Sequence, residues 1–174
     1  VDVAGLRILV VDQIAPAGAE SDCHDRPAPV PRPPARRWIP IRSLAERHRP
    51  RILAHLLALP EQDRYLRFGY AASDAQIARY ADLIDFTHDE VFGVFDRRLE
   101  LIAQAHLAGL PNTREAEFGV SVLPKARGRG YGARLFDHAV LHARNRGVDT
   151  LLIHALTQNT PMLRIARTAG ATVD

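Results

Sequence analysis

Residues 125–132 read Lys-Ala-Arg-Gly-Arg-Gly-Tyr-Gly, which sets Lys125, Arg127 and Arg129 among Gly128, Gly130 and Gly132. Before this loop, Ala116–Leu123 alternates as a strand does. Phe118, Val120 and Val122 fall on one face, and Glu117, Gly119 and Ser121 on the other. After it, Tyr131–Arg146 carries Leu135, Phe136, Ala139, Val140 and Ala143 at helical spacing, and Gly147 is placed to stop the helix. A strand that enters a helix through glycines predicts an anion site. The first helical turn offers N–H groups without acceptors and the positive end of the helix dipole. Glycines let a phosphate approach the backbone closely. With three basic side chains on the approach, the expected ligand is a phosphate or pyrophosphate.

Two cofactor patterns fit the loop. Gly128-Arg129-Gly130-Tyr131-Gly132-Ala133 satisfies the dinucleotide fingerprint G-x-G-x-x-A, and Asp149 follows about 20 residues on. In that fold the acid closes the second strand, whereas Asp149 precedes the strand Thr150–Leu156. The second pattern is Arg127-x-x-Gly130-x-Gly132, which resembles the [Q/R]-x-x-G-x-[G/A] loop of the GNAT acetyltransferases. Downstream, Asn159-x-x-Met162-x-x-Ile165-Ala166-x-x-x-Gly170 resembles that family's N-x-x-[A/M]-x-x-[L/I]-x-x-x-x-G segment at every spacing. Upstream, Leu59–Phe68 and the strand residues Ala116-Glu117-Phe118 are similar to the acetyltransferase domain of bacterial Pat-type protein-lysine acetyltransferases. The resemblance runs from Trp38 to Asp174 and is sharpest from Glu115 onward.

The resemblance implies an α+β GNAT fold, a mixed, mostly antiparallel sheet flanked by helices, with acetyl-CoA as co-substrate and no metal. It implies that the strand Phe118–Leu123 splays from Thr150–Leu156 and admits pantetheine beside Val120, Val122 and Leu123. The pyrophosphate would lie on Arg127, Gly128, Arg129, Gly130, Tyr131, Gly132 and Ala133. Asn159 would touch pantetheine, or else satisfy backbone groups before a cap at Thr160. The implied activity moves an acetyl group to a primary amine, of a protein lysine or a small molecule, by direct attack on the thioester. The alternative is a degenerate acyl-CoA-binding regulatory domain.

That chemistry needs a base, because a free lysine has a pKa of about 10.4. Glu117 is the candidate, on the strand that would flank the thioester, with a salt-bridged surface glutamate as the ordinary reading. The family's tyrosine general acid has no counterpart, since Ala166 occupies its place in the last helix.

The elements that must position these residues read as β–α–α–β–β–β–α–β–α–(β). Trp38–Ile41 reads as an edge strand and Arg51–Leu59 as a helix, with a further helical turn from Pro60 through Phe68 that Gly69 ends. Ser73 with Gln76 is a capping box opening a helix with the stripe Ile77, Tyr80, Ala81 and Ile84. Val91–Phe95 and Leu99–Leu107 read as strands. Residues 1–37 read as an extension in which Ala15–Arg37, with six prolines, has no periodicity and carries no chemistry.

Composition narrows the class. The net charge of +3 in 174 residues is too mild to argue for nucleic acid. No run approaches the roughly 18 apolar residues of a membrane span, and Val1–Val11 lacks the layout of a secretory signal. A single cysteine, Cys23, excludes a disulfide within the chain and suits a reducing cytoplasm. His138 and His142 stand four apart but lack the intervening Glu of a zincin, so they read as solvated helix residues. His106 and His154 lie on strands without evident partners.

Overall fold

A computed structural model of the chain describes residues 6–12 and 40–173. Among these, seven strands form one sheet in the order β2-β3-β4-β5-β6-β1-β7. The strands are β1 (Arg7–Asp12), β2 (Arg42–Leu44), β3 (Glu90–Phe95), β4 (Leu101–Gly109), β5 (Glu115–Val122), β6 (Thr150–Ala155) and β7 (Thr172–Val173). The helices are α1 (Arg49–Leu57), α2 (Glu61–Phe68), α3 (Asp74–Asp82), α4 (Tyr131–Asn145) and α5 (Thr160–Thr168). No helix among the described residues is long and apolar enough to cross a membrane.

The sheet is mixed, as expected. β2 to β5 pair antiparallel, while β5, β6, β1 and β7 run parallel. The parallel half is longer than the sequence suggests, because β1 belongs to it. Residues 1–37 were expected to be an extension, yet Arg7–Asp12 pairs along its whole length with Thr150–Ala155 and holds β7 on its other side. Its apolar residues supply the reason: Leu6, Ile8 and Val10 are buried in the core beneath α5. Ala15–Arg37 and Cys23 lie outside the described residues, as do Trp38 and Ile39 of the strand expected at Trp38–Ile41; Pro40 and Ile41 are described but are not strand, and the edge strand next to β3 is Arg42–Leu44.

Two apolar cores sandwich the sheet. Phe92, Phe118, Leu151 and Ile153 meet Leu135 and Phe136 of α4 and Met162 and Ala166 of α5. Val91, Leu101 and Leu123 meet Ile52 and Leu56 of α1 and Ile77 of α3 on the opposite face. Neighbouring residues such as Val91 and Phe92 thus serve opposite faces, the period of a strand buried on both sides. Three helices precede β3 where the sequence order counted two. Pro60 at the N-cap and Gly69, at φ 80° after the last turn, bound α2 as a separate helix.

Helix α2 buries no residue completely and is held by polar staples instead. Arg64 donates to the carbonyls of Leu57 (2.6 Å) and Leu59 (3.0 Å) and pairs with Asp74 (2.7 Å), tying the end of α1 to the start of α3. Helix α3 begins as read: Ser73 Oγ accepts from the Gln76 N–H at 3.3 Å, and Gln76 Oε1 accepts from the Ser73 N–H at 2.9 Å.

Candidate active site

β5 and β6 start as a parallel pair, in register at Glu115↔Thr150, Ala116↔Leu151 and Glu117↔Leu152, and there the pairing stops. β5 continues on β4 through Val122, and β6 continues on β1 through Ala155. The strands therefore fork at Glu117. An extended segment of β5 loses its partner on one side, leaving backbone donors and acceptors for an extended, amide-bearing ligand.

The fork opens into a groove of about 530 Å³. Val120 and Val122 of β5 form one wall, Asn159, Met162 and Ile165 the other, and the loop before α4 closes the end. Gly128 and Gly130 take φ of 73° and 78°. That left-handed conformation is open to glycine at no steric cost and sets the turn that aims α4 at the groove. A Cβ at either would meet nothing within 4 Å, so both line open space. The first turn-to-turn bond of α4 is Arg134 N–H to Gly130 O at 3.1 Å, which leaves the amides of residues 131–133 ahead of the ladder. The geometry fits a phosphate at the helix start and an apolar-walled channel leading from it toward Glu117.

Residues 39–172 match the acetyltransferase (GNAT) domain family. The chain belongs to the GNAT acetyltransferases. Its fold is similar to that of the GNAT domain of S. lividans PAT, at 24% identity and a TM-score of 0.62 over 76% of this chain and 80% of that one. It is also similar to the ribosomal-protein-alanine N-acetyltransferase of Brucella melitensis (18% identity, TM-score 0.57, 76% and 83% covered). A third neighbour is the ribosomal-protein-S18-alanine N-acetyltransferase of Escherichia coli (19%, 0.57, 76% and 77%). As a GNAT domain the chain is an N-acetyltransferase, and the forked sheet is the frame for acyl transfer.

Within the GNAT groove lie Val120, Val122, Arg127, Gly128 and Gly130, with Tyr131, Gly132, Ala133 and Asn159 beside them. Two residues assigned to it on sequence lie elsewhere. Leu123 is buried against the α1 side, and its N–H donates to Ile102 O at 2.9 Å, so neither side chain nor amide faces the groove. Arg129 is exposed and does not line it. Arg127 does, but its guanidinium is already paired with Asp63 of α2, itself a groove residue. Asn159, not Thr160, caps α5: Oδ1 accepts from the Met162 N–H at 3.3 Å, while Nδ2 donates to Leu66 O at 3.4 Å and fastens α5 to α2. Both polar groups of Asn159 are thus engaged within the protein.

Glu117 lines a second, smaller cavity of about 120 Å³, which meets the groove at Leu66, Arg67, Val120, Asn159 and Met162. Beside Glu117 stand His154 and Tyr80. Tyr80 is the residue that sequence reasoning missed. It was read as part of an apolar stripe, whereas its hydroxyl sits 2.5 Å from His106 Nδ1 and accepts from Arg67 Nη2 at 2.8 Å. His106, read as unpartnered, also bonds Asp89 Oδ2 through Nε2 at 2.9 Å. Burial pushes the Tyr80 phenol up; the charge and hydrogen bond of Arg67 pull it back, and Glu117 and Asp89 push it up again. Ala166 is fully buried in the core, so α5 presents no acid to the groove.

A second polar pair sits under the groove. His55 of α1 is buried, with Nδ1 2.8 Å from Leu101 O and Nε2 2.8 Å from Ser121 Oγ. A carbonyl only accepts, so Nδ1 carries the proton and Ser121 O–H donates to Nε2. His138 and His142 are half-buried rather than fully solvated. Both rings pack edge-on against Phe92, at 4.7 and 5.3 Å, and His142 faces Glu90 at 3.2 Å.

Proposed function

We propose that this GNAT domain transfers an acetyl group from acetyl-CoA to a primary amine, carried by a protein lysine or a small molecule, and that Glu117 takes a proton from that amine. The observation that carries the reading is the fork. The last residue of β5 paired with β6 is Glu117, and it lines a small cavity that opens into the groove just where the strands part. A carboxylate at that junction can accept a proton from an amine entering through the cavity. The amides at the start of α4 would hold the pyrophosphate, and the free edge of β5 would hold the amide-bearing arm and donate to the thioester oxygen as charge develops there.

The test is CoA release over a panel of lysine peptides, amino acids and small alkylamines, with Glu117→Gln beside the wild type. Turnover on at least one amine, with kcat lowered about 10²-fold or more in the variant and CoA affinity unchanged, is the expected result. Calorimetric CoA binding without turnover on any amine would overturn the reading in favour of a regulatory acyl-CoA-binding domain. Equal kcat of the two proteins across pH would remove Glu117 from its role.

A further inference from the structure

Converting an ammonium into an amide removes two protons from nitrogen, one before attack and one as the amide forms. Glu117 can take one. The structure holds a second acceptor in the same cavity. We propose that Tyr80, His106 and Asp89 form a proton-accepting array that deprotonates the incoming ammonium group, with Tyr80 meeting the acceptor and the proton resting on His106. This rests on the acetyl-transfer reading above.

The array is assembled from separate elements: Tyr80 from α3, His106 from β4, and Asp89 from the turn before β3. Arg67 of α2 joins them. Asp89 Oδ2 accepts from His106 Nε2–H at 2.9 Å, which leaves Nδ1 as an acceptor facing the Tyr80 hydroxyl at 2.5 Å. Asp89 and His106 are shielded from water, with side chains 13% and 9% exposed. The order carboxylate, imidazole, hydroxyl is that of a Ser-His-Asp triad with a phenol at its head. The phenol oxygen also accepts from Arg67 at 2.8 Å, and Tyr80 lines the cavity beside Glu117.

Room for Arg67 comes from Gly119, the register partner of His106. A Cβ there would fall 2.4–2.6 Å from the guanidinium atoms, so the strand must be bare at this point for the arginine to lie flat on it. The Nε of Arg67 is buried without a partner. A purely structural tyrosine–histidine pair would be closed off; this one has a cavity wall, a neighbouring carboxylate and an arginine braced against its oxygen.

The proton count closes. The ammonium gives one proton to the Tyr80 oxygen while the Tyr80 hydroxyl proton moves to His106 Nδ1, so Tyr80 starts and ends as a phenol and His106 becomes an imidazolium held by Asp89. The freed nitrogen pair forms the C–N bond, the C–S bond breaks, and its electron pair leaves on sulfur, which takes a proton from water. The second N–H proton goes to Glu117. Both stored protons then leave through the cavity, one net proton per turnover after the sulfur is counted. His106 is bonded by Tyr80 from α3 and Asp89 from the turn before β3, and the charges of Arg67 from α2 and Glu117 from β5 reach the array at Tyr80. On its own strand the nearest same-face neighbour is the neutral Gln104.

The test compares acceptors that do and do not need this first deprotonation: propylamine, protonated at neutral pH, and methoxyamine, which is not. With Tyr80→Phe, kcat on propylamine should fall about 10²-fold while kcat on methoxyamine stays within about threefold, CoA affinity being unchanged by calorimetry. Raising the pH should narrow the propylamine gap. Asp89→Asn, which leaves the cavity wall intact, should show the same acceptor-selective loss, smaller in size. Equal losses on both acceptors, or no loss on either, overturn the array while leaving acetyl transfer standing. A wild-type protein that acetylates neither amine nor any lysine peptide overturns both.

Discussion

His55 makes this protein acid-labile, and the size of the effect can be worked out. Its ring donates to Leu101 O and accepts from Ser121, each at 2.8 Å, in a pocket where the residue is 3% exposed. A second proton would fall on Nε2, break the Ser121 bond and place a charge under α1. Burial therefore drives the pKa from 6.5 down to about 4; the Leu101 carbonyl opposes this and the charge of Arg67 adds to it. Above pH 6.5 the ring is neutral folded or unfolded, and it contributes no pH dependence. Below 6.5 the unfolded chain binds the proton and the folded chain does not, so stability falls with pH until about 4, where the folded ring protonates too. At about 1.4 kcal/mol per pH unit the window is worth about 3 kcal/mol. The assay is urea unfolding of wild type and His55→Gln at pH 7, 6, 5 and 4. The variant should be less stable at pH 7, and the gap should close by about 3 kcal/mol on going to pH 4. Other groups, including His138, which burial and the charge of His142 also lower, act in both proteins and cancel in the difference. Parallel stability curves for the two proteins between pH 7 and 4 would refute the assignment.

Other outcomes follow from the same geometry. Gly119→Ala should fold, since the strand tolerates alanine and only a flexible guanidinium must move; its melting temperature should change by the few degrees that about 1 kcal/mol represents. Its kcat should nonetheless fall on alkylamines as Arg67 loses Tyr80, and an unchanged kcat would show that Arg67 is dispensable. Asp63→Asn should free Arg127 for the ligand and tighten CoA binding up to about fivefold, the scale set by an ion pair whose arginine is half-exposed, as read by calorimetry at low and high salt. Gly130→Ala places a side chain at φ 78°, so it should cost about 1–2 kcal/mol in urea unfolding and weaken CoA binding, whereas unaltered affinity would mean the loop does not hold the cofactor.

What the sequence showed and what it hid divide along the distance between partners in the chain. The strand–glycine–helix unit is local: the alternation of β5, the glycines and the stripe of α4 lie within residues 115–145, so periodicity places them correctly. The fork is carried by the family motifs around it. β1 was hidden because parallel pairing needs a partner far away, here Thr150–Ala155, and nothing within Arg7–Asp12 names it. The Arg127–Asp63 pair was hidden for the same reason. The Tyr80–His106–Asp89 array was only half hidden. β4 is covered on both faces, and such a strand ordinarily reads as an unbroken apolar run. This one reads Leu-Ile-Ala-Gln-Ala-His-Leu, with Gln104 and His106 on a single face. Polar side chains at alternate positions of a buried strand cannot be left unpaired at acceptable cost, so they announce a polar seam between sheet and helices. The seam's members come from α1, α2, α3, the turn before β3 and β5, and no spacing rule selects them. Among the described residues, then, the polar interruption of β4 is the local mark of the array, and the fold is what supplies Tyr80 to it.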